Sequence, residues 1–154
     1  MNNLHKRKNI RLKDYDYSSN GYYFVTICTD FRKAFLENER IKEIVVAELA
    51  RLNNRFKTVE VDYFTIVPNH IHIILCFEDS EYNLSQVIQA FKSLTTLKAK
   101  QALPLQIGKR MWQHNYYEHV IRTDKALDKV REYIQNNPLA EKIKVEELYD
   151  GKMA

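Results

Sequence analysis

Glycine and proline are scarce in this sequence, three of each among 154 residues, and cysteine and tryptophan are scarcer, at two and one. So few chain breakers exclude collagen-like, linker-rich and low-complexity classes, and no internal repeat is visible. Cys28 and Cys76 lack CxxC spacing, and free thiols explain them better than a disulfide or a zinc site. Each falls in a predicted strand and reads as a free buried thiol in a reducing compartment. No apolar run approaches membrane-spanning length. The basic start His5-Lys6-Arg7-Lys8 has no apolar segment behind it to serve as a signal peptide. A cytoplasmic protein is expected.

What is abundant is charge and aromatic surface. Ordinary apolar content in a chain of this length is enough for one domain with a proper core. We expect a polar, basic arm over residues 1–20 and a single domain over 21–154. The formal net charge of +4 leans toward an anionic partner. Ten tyrosines and seven phenylalanines among the lysines and arginines sharpen that reading. Rings beside phosphate-binding charges suit single-stranded or distorted nucleic acid, although the strand aromatics read first as core.

Taken in order, Tyr22 to Thr29 is rich in β-branched and aromatic residues and predicts a first strand. Apolar residues at helical spacing (Ile41, Ile44, Val45, Leu49, Leu52) predict a helix over 39–54. Thr58 to Val67 predicts a second strand, and Pro68-Asn69 turns it into a third as a hairpin. Leu84, Val87, Ile88, Phe91, Leu94 and Leu97 predict a helix over 84–100, followed by a loop over 101–109. Lys92, Lys98 and Lys100 fall on its polar side, a face suited to phosphate contact or simply to solvent. The second half of Trp112 to Arg122 predicts a fourth strand. Asp124 to Asn136 predicts a last helix, opened by Thr123 or Asp124 and stopped by Pro138. The order β-α-β-β-α-β-α indicates an α+β, ferredoxin-like sandwich: a four-stranded antiparallel sheet with two helices, plus an extra C-terminal helix.

Chemistry concentrates in two short stretches. In Pro68-Asn69-His70-Ile71-His72, strand alternation puts His70 and His72 on one face, where two imidazoles can share a divalent cation. Read alone, the pair also fits half-exposed histidines on a sheet surface. In the last helix Tyr133 and Asn137 are four residues apart and share a face. An amide oxygen is a hard ligand able to complete a site begun by the histidines, and a phenol is a potential nucleophile. Read alone, Tyr133 is a surface aromatic and Asn137 a cap before proline.

Together these stretches resemble the histidine–hydrophobe–histidine (HUH) motif and the tyrosine helix of single-tyrosine transposases of the insertion-sequence type. Trp112-Gln113-His114-Asn115-Tyr116-Tyr117-Glu118-His119-Val120-Ile121-Arg122 and the opening strand with Val25-Thr26 resemble the REP-associated branch. The resemblance runs from about Gly21 to Ala140, with the motifs in the family's order and spacing. It implies a DNA transposase, a metal-dependent single-strand endonuclease and strand transferase. His70, His72 and Asn137 would hold Mg²⁺ or Mn²⁺, and Tyr133 would form a 5′-phosphotyrosine. Many family members carry glutamine as third ligand; asparagine matches the REP-associated type.

The implied substrate is single-stranded DNA beside a hairpin, with Arg7, Lys8, Lys92, Lys98 and Arg122 as expected phosphate contacts. Glu118 and His119 are candidates for shaping the site or for structural roles in the fourth strand. Relatives include monomers and homodimers that exchange the tyrosine helix, and the sequence leaves both open. Two other readings stand beside this one: a hairpin-binding module that does not cut, and a metal-dependent phosphodiesterase that uses water.

Overall fold

The computed structural model describes residues 20–136. Within them the chain forms β1 (Gly21–Cys28), α1 (Glu39–Arg55), β2 (Val59–Val67), β3 (His70–Phe77), α2 (Leu84–Ala102), a one-turn α3 (Pro104–Ile107), β4 (Tyr117–Ile121) and α4 (Asp124–Asn136). The strands make one antiparallel sheet in the order β2-β3-β1-β4, the ferredoxin-like arrangement expected. Local chemistry sets the helix starts. Asn38 accepts from the backbone N–H groups of Arg40 and Ile41, and Asn83 forms a reciprocal capping box with Gln86. Thr123 opens α4 by accepting from the N–H of Ala126.

Every residue of β1 is buried, because the sheet is covered on both faces. Tyr23, Val25 and Ile27 join Ile71, Ile73 and Leu75 beneath α1 and α2. Tyr22, Phe24 and Ile74 face the other way and pack against Ala126, Leu127, Val130, Tyr133 and Ile134 of α4. The extra helix therefore closes the face that carries the histidines. At full burial each such aliphatic side chain contributes roughly 1.5–3 kcal/mol, so this second core is what keeps α4 on the sheet.

Two local departures from the sequence reading matter. The apolar stripe of α2 runs through Thr95 and Ala99, and Leu97 is half exposed. Thr95 is buried because its hydroxyl donates to the carbonyl of Phe91 and accepts from the Trp112 indole N–H at 2.9 Å. A hydroxyl so satisfied can occupy a core position. The loop expected over 101–109 contains the turn of α3, with Pro104 at its first position.

Candidate active site

The pairing register builds the site on the α4 face. Thr26 lies opposite His72, and Cys28 opposite His70, so all four side chains share that face. The two imidazoles pack edge to face with centroids 4.7 Å apart. Each is oriented through Nδ1. The amide oxygen of Asn69 stands 2.8 Å from Nδ1 of His70, and Thr26 Oγ1 stands 2.8 Å from Nδ1 of His72. An amide oxygen only accepts, so His70 carries its proton on Nδ1 and presents a lone pair at Nε2. With Nδ1–H donated to Thr26, His72 does the same. Oxygen partners of this kind fix ring orientation and tautomer in histidine metal ligands.

Both rings are held neutral. Burial pushes the His70 pKa down to about 4, helped by the nearby Arg32 charge. Burial pushes His72 down to about 3, with His70 adding to the effect. Two neutral imidazoles are the state that binds a cation.

α4 brings the third group. The Tyr133 oxygen lies 3.5 Å from Nε2 of His72, a long contact, and the rings are 5.4 Å apart. Phe24 floors the cluster, 5.4 Å from the His72 ring and 6.3 Å from Tyr133. What presses α4 into this position is Arg131, two residues before Tyr133. Its Nε and Nη2 donate to the two carboxylate oxygens of Asp62 at 2.8 and 2.9 Å. The guanidinium also sits 5.9 and 5.6 Å from the Tyr22 and Tyr63 rings. Asp62 reaches it because β2 is irregular there: Val61 pairs with Leu75 and Tyr63 with Ile74, leaving Asp62 as the extra residue of a bulge.

The other residues singled out from the sequence divide. Asn137, Arg7 and Lys8 lie outside the described residues. His119 pairs with Phe24 and so faces the site side, whereas Glu118 pairs with Val25 and faces the opposite core. Arg122 is exposed just after β4. Lys92 donates to the carbonyls of Gln113, His114 and Asn115, stitching that segment to α2. Lys98 pairs with the buried Glu48, which also holds Arg51 and Arg55. Neither lysine is brought to the histidine face. Thr26, Asn69, Arg131 and Asp62 were missed. Asn69 had a sequence signal in its place immediately before His70, and Thr26 in the resemblance of its strand; Arg131 and Asp62 had none.

Among the described residues no cluster of three His, Cys, Asp or Glu side chains forms a metal site, and no helix is long and apolar enough to cross a membrane.

The sequence matches the IS200-like transposase family over residues 17–137. A Haemophilus influenzae protein of uncharacterized function is 30% identical, with 88% of this chain and 90% of that protein aligned. A second H. influenzae protein, assigned to the REP-associated tyrosine transposases, is 27% identical over 80% of this chain and 73% of its own. In fold, the chain is similar to a REP-associated tyrosine transposase solved bound to a REP hairpin. The TM-score is 0.67 at 20% identity, covering 86% of this chain and 73% of the other. A transposase-like structure from Deinococcus radiodurans gives a TM-score of 0.55 at 18% identity, covering 84% and 97%. The match covers nearly all the described fold, from the first strand through the tyrosine-bearing helix, and this chain belongs to the IS200-like transposase family.

Proposed function

We propose that this transposase-family chain cuts and rejoins single-stranded DNA beside a hairpin, with Tyr133 as the nucleophile. The observation that carries the reading is the convergence of His70, His72 and Tyr133 on one sheet face. In the step, a bond forms between the Tyr133 oxygen and phosphorus while the bond from phosphorus to the 3′-oxygen breaks. The phenol proton passes to solvent, and the departing 3′-oxygen becomes a hydroxyl. A 5′-phosphotyrosine keeps the energy of the broken linkage, so a second 3′-hydroxyl can reverse the step and join a new strand.

The donor set fits a divalent cation. His70 and His72 offer neutral Nε2 lone pairs with their Nδ1 atoms engaged, and Asn137 would add an amide oxygen. Bound there, Mg²⁺ or Mn²⁺ would draw charge from the phosphoryl oxygens and favour attack by a phenol whose ordinary pKa is about 10. The protein's own contribution is placement. Arg131 and the α4 core hold the phenol over His72, and Phe24 keeps water from beneath it. Hairpin contact is assigned to the exposed Arg122 and, from the sequence, to the basic residues Arg7 and Lys8.

The test is a denaturing gel with labelled hairpin-flanked single strands and Mg²⁺ or Mn²⁺. A metal-dependent protein–DNA adduct that disappears in Tyr133→Phe, with hairpin binding retained, supports the assignment. An adduct formed by the phenylalanine variant removes Tyr133 from the role. Hairpin binding without any adduct favours the non-cutting module.

A further inference from the structure

Between β1 and α1 the chain passes through Asp30-Phe31-Arg32-Lys33. Two successive residues with side chains, Phe31 and Arg32, take left-handed backbone conformations at φ 52 and 55. Such a pair is strained, and it persists only where surrounding contacts impose it. They do so here. The N–H of Asp30 donates to the carbonyl of Met111, the N–H of Thr29 to that of Asn69, and the Thr29 hydroxyl to that of Lys33. The loop is thus tied to the turn that precedes His70.

The strain does not serve packing. Phe31 is 82% exposed, while Phe35 and Leu36 close by are buried. Arg32 meets no carboxylate within ion-pair distance among the described residues. Its Nη1 lies 3.3 Å from Cys28 Sγ. Cys28 is the cross-strand partner of His70 on the same face, so the guanidinium stands at the edge of the histidine pair with no compensating carboxylate among the described residues. Lys33 adds a second cation, 6.0 Å from the Phe31 ring. A fixed guanidinium beside a candidate phosphate site, next to a ring held out in water, has the composition of a nucleotide clamp.

We propose that Arg32 contacts the scissile phosphate and that Phe31 stacks on the base flanking it. This inference rests on the DNA-cutting reading of the His70–His72–Tyr133 site. It makes Arg32 a catalytic residue and Phe31 a determinant of how the strand enters.

The experiment begins by mapping the linkage that the wild-type protein attacks. Binding is then measured by fluorescence anisotropy in the Tyr133→Phe background, where no adduct forms. One strand carries a neutral methylphosphonate at the mapped linkage, and another carries an abasic flanking nucleotide. Neutralising the phosphate is expected to weaken binding about tenfold, and Arg32→Ala to erase most of that penalty, with Arg32→Lys intermediate. Removing the base is expected to cost about tenfold, and Phe31→Ala to erase that penalty in turn. Arg32 and Phe31 are exposed, so both variants should melt within a few degrees of the parent. Undiminished penalties in the alanine variants overturn the clamp and leave the cutting reading intact. Failure of the wild-type protein to form an adduct on any strand overturns both.

Discussion

The phenol oxygen of Tyr133 stands 3.5 Å from Nε2 of His72, although the two residues are 61 positions apart in the chain. One belongs to a helix and the other to a central strand, and the contact exists because α4 folds back over the sheet face that α1 and α2 leave uncovered. The relationship makes the site sensitive both to what orients the histidine and to what seats the helix.

Thr26 orients the histidine. Replacing it by valine keeps the shape and leaves Nδ1–H of His72 without its oxygen. Mn²⁺ affinity is expected to fall about 10- to 100-fold. Fold stability should drop by about 1 kcal/mol. Calorimetric titration with Mn²⁺, run beside a thermal melt, reads both. Unchanged Mn²⁺ affinity would show that Thr26 does not tune the ligand.

The histidines set an acid limit on stability. In the unfolded chain each titrates near its ordinary value of about 6.5. In the folded state His70 and His72 titrate at about 4 and about 3. The unfolded state therefore binds more protons over that interval. Stability is complete above pH 6.5 and declines as the pH falls toward 4 and then 3. With partial solvent screening at His70, the slope should be about 1–2 kcal/mol per pH unit. Urea unfolding between pH 7 and 5, above the range of ordinary carboxylates, measures it. His70→Gln and His72→Gln should each flatten the curve, and a wild-type curve already flat would contradict the burial argument.

Arg131 and Asp62 seat the helix. Arg131→Ala should cost about 1 kcal/mol, as expected of a partly exposed bidentate pair. Its larger effect should be on the rate of adduct formation, about tenfold lower, because Tyr133 is two residues away. Hydrogen exchange should quicken over 124–136 and stay slow over 84–102. The double variant Asp62→Arg/Arg131→Asp should recover part of the rate. Exchange that quickens equally in both helices would mean general destabilisation.

Glu48 anchors the opposite face. Its side chain is 1% exposed and meets Arg51, Arg55 and Lys98. Glu48→Ala leaves three part-exposed cations that water can solvate, so it should cost about 1–2 kcal/mol, read as a lower urea midpoint. A shift of less than about 0.5 kcal/mol, the size of an ordinary surface change, would show the pairs to be energetically idle.

Much of this was legible in the chain itself. Alternation in β1 and β3, helical spacing in α1 and α4, and the Pro68-Asn69 turn are local patterns, each written within one or two turns of backbone. They were enough to give the element order, the sheet, and the common face of His70 and His72. The proposal that Tyr133 is the nucleophile also began in the sequence, through the family resemblance of its helix.

Tertiary structure decided what depends on partners remote in sequence. A one-residue bulge reverses the parity of β2, so Val61 and Tyr63 face opposite cores and Asp62 is turned to Arg131. Strand alternation alone puts Val61 and Tyr63 on the same face. Lys92 and Lys98 look like free cations on a helix until carbonyls 21 to 23 residues away and a carboxylate 50 residues away are brought to them. Thr26 is one more β-branched strand residue until the register sets it across from His72. Sequence fixes which residue types alternate and cap, because those preferences act over a few bonds. Which distant groups then satisfy one another is settled only when burial makes leaving them unpaired costly.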